Sequence, residues 1–169
     1  MVLRRLIDLP PPAARGDYRD TQATPNGGDT IMTMTTTSTA PMLENHPAPI
    51  GIDRAQLAAT IDTILMCSQA CTMCADACLS EEMVDPLKTC ITRNLDCADI
   101  CATTARVLSR QTGFDIAIAR TQLEACVIAC MACGAECAMH ADMHEHCRVC
   151  AEACSRCERA CRELLAALR

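Results

Sequence analysis

Tryptophan is absent from this 169-residue chain, which has one tyrosine (Tyr18) and one phenylalanine (Phe114). Aromatic side chains therefore cannot build the core. Basic residues are outnumbered, with 15 Lys and Arg against 21 Asp and Glu for a net charge of −6. The arginines are dispersed among acids, which argues against a phosphate-binding patch and against nucleic acid as a partner. The sequence shows no apolar stretch of about 18 residues, so no membrane span is expected. Arg4-Arg5 lacks the apolar run and small-residue cleavage site of an export signal, because Leu6-Ile7-Asp8-Leu9 leads straight into Pro10-Pro11-Pro12. A catalytic apparatus is missing too. No nucleophile–base pair, phosphate loop or open metal site with a general base can be read, so a binding protein is expected and not an enzyme.

Cysteine is present in quantity: sixteen residues, in a chain that is half apolar by composition. With no export signal, so many thiols point to the cytoplasm, where glutathione keeps them reduced. The chain divides near residue 52. Residues 1–51 hold most of the proline and glycine, a Thr/Ser run (Thr33, Thr35 to Thr39) and no cysteine; they are expected to form a disordered tail. Met32 and Met34 are alternative start positions within it.

Residues 52–169 read as helices with clear punctuation. Asp53 caps a first helix over about 53–80. Asp85-Pro86 opens a second, with Asp at N-cap and Pro at N1, that runs to about 111 before Gly113. Asp115 or a near neighbour opens a third to about 141, and a fourth covers about 143–167. Short connections fold these into an all-α domain, an antiparallel four-helix bundle.

The cysteines follow one register. Cys67, Cys71, Cys74 and Cys78 read C-x3-C-x2-C-x3-C, and Cys126, Cys130, Cys133 and Cys137 repeat it. Cys147, Cys150, Cys154, Cys157 and Cys161 alternate steps of three and four. Cys90, Cys97 and Cys101 keep the register with Asn94 in the vacant place. At about 100° per residue, steps of 4, 3 and 4 confine four side chains to an arc of roughly 60° and a stripe about 16 Å long. This is the seam that faces partner helices, so the thiols line the core. Cysteine alone fills such a core poorly, and disulfides would not need every seam position in a reducing compartment. Metal binding remains. Zinc and iron–sulfur sites draw compact ligand sets from loops. A row of pairs on continuous helices suits a soft, thiolate-loving ion such as Cu(I), bound in multiple copies. An iron–sulfur electron-transfer protein and a general zinc or heavy-metal thiolate buffer stay open as alternatives.

His140, His144 and His146 lie in the last connection with Met139 and Met143, at the same end as Met83. Weaker ligands gathered at one end read as an entry port. Met66, Met73 and Met131 are expected as core filler, and Asp62, Asp76 and Asp99 as ordinary polar-face residues.

Over about residues 55–165 the chain resembles the cysteine-rich four-helix-bundle copper-storage proteins. The resemblance rests on Cys67–Cys78, on Cys90-Ile-Thr-Arg-Asn-Leu-Asp-Cys97-Ala-Asp-Ile-Cys101, on Cys126–Cys137, and on the three histidines before Cys147. It implies a homotetramer of bundles filled with Cu(I), of the cytosolic branch, served by a copper donor and acceptor that the sequence does not identify. It is the resemblance that names the metal.

Overall fold

The computed structural model describes residues 37–168, which contain helices and no strand. In chain order the helices are α1 (Thr39–Glu44), α2 (Arg54–Leu79), α3 (Lys88–Leu108), α4 (Ile116–His140) and α5 (Glu145–Ala167). The last four form the bundle, in which α2 and α4 each pack against α3 and α5. Its antiparallel sense is visible in the sulfur pairings. Along α3 and α4 the contacts run Cys101–Cys126, Cys97–Cys130 and Cys90–Cys137, one number falling as the other rises.

Capping follows the sequence at two of the starts. The Asp53 carboxylate accepts from the Gln56 amide at 2.7 Å. Asp115 accepts from the amides of Ala117 and Ile118 at 2.8 and 3.2 Å. Both occupy the orphan donors of a first turn. Asp85 departs from its expected role. Residues Asp85–Leu87 form a 3-10 turn leading into α3, with Val84 in the N-cap position and no side-chain cap. The Asp85 carboxylate instead pairs with Lys88 Nζ at 2.6 Å. At its far end α3 stops at Leu108, three residues before the expected 111. The buried Gln111 amide donates to the Leu108 carbonyl at 2.6 Å, and Gly113 then turns the chain with φ +66°. Arg120 of α4 reaches across to the Leu165 and Leu168 carbonyls and closes the end of α5.

Sulfur does not fill the whole core. The register that carries the thiols continues in hydrocarbon at the end where α2 and α4 begin and α3 and α5 finish. Leu57, Ile61, Ile64, Leu108, Leu123 and Leu164 are all at most 1% exposed there. Each such side chain contributes about 2 kcal/mol through burial. Small residues beside the seam let the helices approach. A Cβ on Gly134 of α4 would stand 3.2 Å from Cys154 Cβ of α5.

Two expectations need correction. First, α2 and α4 are long and apolar enough to cross a membrane, with mean hydropathies of 1.3 and 1.5 over their most apolar windows. Cysteine and alanine raise those values, and the cysteines face the bundle interior. Second, residues 37–51, assigned to a disordered tail, are ordered. Thr37 and Thr39 both donate to the Asp62 carboxylate at 2.5 Å, and Leu43 is 4% exposed in the core. Asp62 is thus a clamp and not an idle polar-face residue. The rest of the expected tail, residues 1–36 with Met32 and Met34, lies outside the described residues.

Replacing Asp62 with Ala should loosen this segment while leaving the bundle intact. Hydrogen bonds to a charged acceptor contribute about 1.5 kcal/mol, so amide exchange over 39–44 should rise about tenfold. Hydrogen-exchange mass spectrometry reads this directly, with exchange in α4 unchanged.

Candidate metal centre

All sixteen cysteines are free thiols at most 1% exposed. Sulfur contacts of 3.6–4.0 Å join them into a ladder of two runs, a short one of Cys74, Cys147, Cys90 and Cys137 near the histidines and a longer one farther in, with Asn94 touching sulfurs of both. At one end, Cys74, Cys78 and Cys147 gather with His146, whose Nδ1 is 3.5 Å from both Cys74 Sγ and Cys147 Sγ. Cys90 follows, 4.0 Å from Cys147 and 3.6 Å from Cys137. Next come Cys71, Cys133, Cys150 and Cys154, then Cys67, Cys97, Cys101 and Cys130. Cys126 and Cys157 join Cys101 and Cys130 in the following group, and Cys161 contacts Cys126 at 3.7 Å beside the hydrocarbon plug. Every cysteine expected as a ligand is therefore in the ladder.

The groups overlap. Cys67 and Cys71 each belong to two, as do Cys101 and Cys130. Their spacing fits soft-metal coordination. Three sulfurs about 2.3 Å from a shared ion, the metal–thiolate length of zinc sites, stand about 4 Å apart in a trigonal plane. The thiols already hold that separation.

Asn94 is more than a gap in the thiol column. It is fully buried and all its polar capacity is used. Nδ2 donates to the Cys90 carbonyl at 2.8 Å and to the sulfurs of Cys90 and Cys137 at 3.3 and 3.4 Å. Oδ1 accepts from Cys150 at 3.0 Å and Cys133 at 3.4 Å. Cys137 adds a longer contact to Oδ1 at 3.9 Å, so this oxygen sits among three sulfurs.

Burial raises the thiols toward their neutral form. Cys147 is pushed up to about 12, first by burial and then by the neighbouring Cys78 and Cys137. Deeper in, hydrogen bonds between sulfurs dominate. Cys71 and Cys130 are raised, most by Cys133 and Cys101 respectively. Cys67 and Cys150 are lowered, most by Cys101 and Cys133.

The three histidines do not form one cluster. His144 Nδ1 and His146 Nε2 meet the same oxygen of Glu81, at 2.9 and 3.0 Å. His140 Nε2 instead faces Glu136 at 3.3 Å. A surface pocket of about 450 Å³ is lined by His140, His144, Met83 and Met143 together with Glu81 and Leu87. Met139 is exposed and does not line it. Met66, Met73 and Met131 are exposed as well, contrary to their expected role as core filler. Met66 and Met73 each precede a seam cysteine by one residue, and that step turns them outward. Glu81 was missed in the sequence. Its signal was an acidic pair, Glu81-Glu82, in the connection at the histidine end.

Comparison with known proteins identifies the arrangement. The sequence model of the family described as copper storage protein matches residues 53–166. The chain belongs to the copper storage protein family. A protein of similar sequence is the uncharacterized cysteine-rich protein YhjQ of Bacillus subtilis, 36% identical over 108 residues, covering 64% of this chain and 94% of that one. Among solved structures, the copper storage protein Ccsp of Streptomyces lividans loaded with 10 copper equivalents is 56% identical, with a TM-score of 0.75 over 76% of this chain and 98% of that chain. A cytosolic copper storage protein from the same organism, with five coppers, is 60% identical over 68% of this chain and 95% of that chain, with a TM-score of 0.67. The Cu(I)-bound copper storage protein BsCsp3 is 34% identical over 65% of this chain and 98% of that chain, with a TM-score of 0.58. The family match thus lies over the bundle and all sixteen thiols.

Substituting Asn94 with Ala should destabilise the reduced, metal-free protein by about 2 kcal/mol, through lost hydrogen bonds and a cavity. Denaturant unfolding under anaerobic conditions measures it.

Proposed function

We propose that this chain stores Cu(I), many ions to each bundle, on the thiolates of Cys67 to Cys161. The observation that carries the reading is the ladder itself: sixteen buried, free thiols lining one core and gathered in groups at metal-binding spacing. Capacity, not catalysis, is what such an array offers. Among the inner groups, which share members, an ion can move by exchanging one thiolate at a time.

Entry is assigned to the histidine end. Met83, Met143, His140 and His144 bind Cu(I) more weakly than thiolate and line a pocket there. His146 stands between them and the first sulfurs, Cys74 and Cys147. The opposite end is closed by leucine and isoleucine. A cytosolic location accords with that of the Streptomyces lividans relative and with sixteen thiols in the reduced state. Assembly of several copies, with a tetramer as the form the family resemblance implies, would have available a groove between α3 and α4 where Ile100 and the exposed Ile128 lie beside Arg93, Asp96 and Asp99. A copper donor and acceptor complete the scheme. No finding favours an iron–sulfur cluster.

Anaerobic titration of the reduced protein with Cu(I), followed by gel filtration and metal analysis, tests the proposal. Uptake should climb toward the thiol count of sixteen and leave the protein colourless. Saturation at one or two ions, or a brown protein as isolated, would sink it.

Loading should also weaken in acid. Burial keeps thiols such as Cys147 protonated at neutral pH in the metal-free state. Each thiolate formed on binding therefore releases a proton, and apparent affinity falls by about tenfold per pH unit for each proton displaced. Competition with a Cu(I) chelator at several pH values should show affinity rising with pH, together with proton release in weakly buffered solution.

A further inference from the structure

We propose that Glu81 is the positioning residue of the copper entry. One carboxylate oxygen sets two adjacent imidazoles in opposite tautomers, so that His146 offers its lone pair to the thiol ladder and His144 offers its own to the outer pocket. The inference rests on the storage reading and adds to it a residue outside the ligand set.

An ionised carboxylate accepts hydrogen bonds and donates none. The imidazole nitrogen that faces it must therefore carry the proton. Glu81 Oε1 lies 2.9 Å from His144 Nδ1 and 3.0 Å from His146 Nε2. His144 thus keeps its lone pair on Nε2, and His146 keeps its own on Nδ1. The latter nitrogen is the one 3.5 Å from the sulfurs of Cys74 and Cys147. The two rings are neighbours, with centroids 5.4 Å apart, yet they serve different sites. His144 lines the pocket with Met83 and Met143, whereas His146 groups with Cys74, Cys78 and Cys147.

The placement in the chain matters as much as the distances. Glu81 lies in the connection from α2 to α3, and both histidines lie at the start of α5. The contact therefore ties together the two connections that form this end of the bundle. Metal-binding histidines commonly donate their second N–H to a carboxylate, which fixes ring orientation. Here one carboxylate does so for two rings and divides them between outside and inside.

The tautomers can be read without copper. Long-range 1H–15N spectra of reduced, metal-free protein labelled at histidine, at mildly alkaline pH, should show Nδ1–H for His144 and Nε2–H for His146. In E81A both rings should become mixtures, and uptake of the first Cu(I) equivalents in stopped flow should slow by about tenfold, with final capacity unchanged. E81Q keeps an acceptor oxygen, so it should retain both tautomers and load at nearly the wild-type rate. Wild-type tautomers in E81A would overturn the proposal, as would unaltered loading in the face of mixed tautomers. So would E81Q loading as slowly as E81A, since the charge and not the acceptor would then be responsible. Should E81A fail to fold, mixed tautomers in E81Q alone would be decisive against it. A wild-type capacity of one or two ions would instead remove the storage reading and leave the tautomer result standing.

Discussion

A cysteine side chain extends only two heavy atoms from Cα, and this shortness constrains the whole bundle. Where four helices meet over leucine, branched side chains fill the centre. Over cysteine, the backbones must come closer or leave voids, and close packing tolerates few voids. Residues beside the seam are accordingly small. Ala75, Ala98 and Ala153 are nearly buried on three of the helices, and Gly134 of α4 meets Cys154 of α5 with no Cβ between them. The sulfur spacing of 3.6–4.0 Å follows from that approach. The spacing of the sulfurs is thus a property of helix packing.

A core of thiols is weak in hydrophobic terms, and the protein offsets this at one end. Leu57, Ile61 and Ile64 extend the register of Cys67 backward along α2, while Leu164 and Leu168 extend that of Cys161 forward along α5. One seam therefore carries two chemistries in series, hydrocarbon for stability and sulfur for binding. The segment at 37–51 adds to the stable end, with Leu43 entering the core and the Asp62 clamp holding the chain in place. At the other end polar contacts replace apolar ones: Glu81 bridges two histidines there, and Asn94 knits four sulfurs farther in.

The bundle and the ladder were legible because they depend on periodicity. Steps of three and four identify the buried face, and Asp53 and Asp115 mark helix starts by local chemistry alone. What escaped depends on contacts far apart in sequence. Asp62 looked like any exposed acid because its partners lie more than twenty residues upstream. Glu81 stands 63 residues before His144. The plug escaped for a different reason, since its leucines share the register of the cysteines but say nothing about metal. Asp85 shows that a correct start signal does not fix the cap, because Lys88 competes for the carboxylate. The metal itself was legible only through resemblance, for spacing specifies softness and not the element.

The hydrocarbon plug has a consequence for the order of traffic. With entry at the histidine end, as proposed, a column sealed by hydrocarbon at the other cannot pass its contents through. On that reading, cargo that reaches Cys126, Cys157 and Cys161 retraces its path past the thiols nearer the mouth. A loaded bundle is then two reserves in one: a shallow pool near Cys74 and Cys147 that answers quickly to demand, and a deep pool beside Leu123 and Leu164 that is the last to leave.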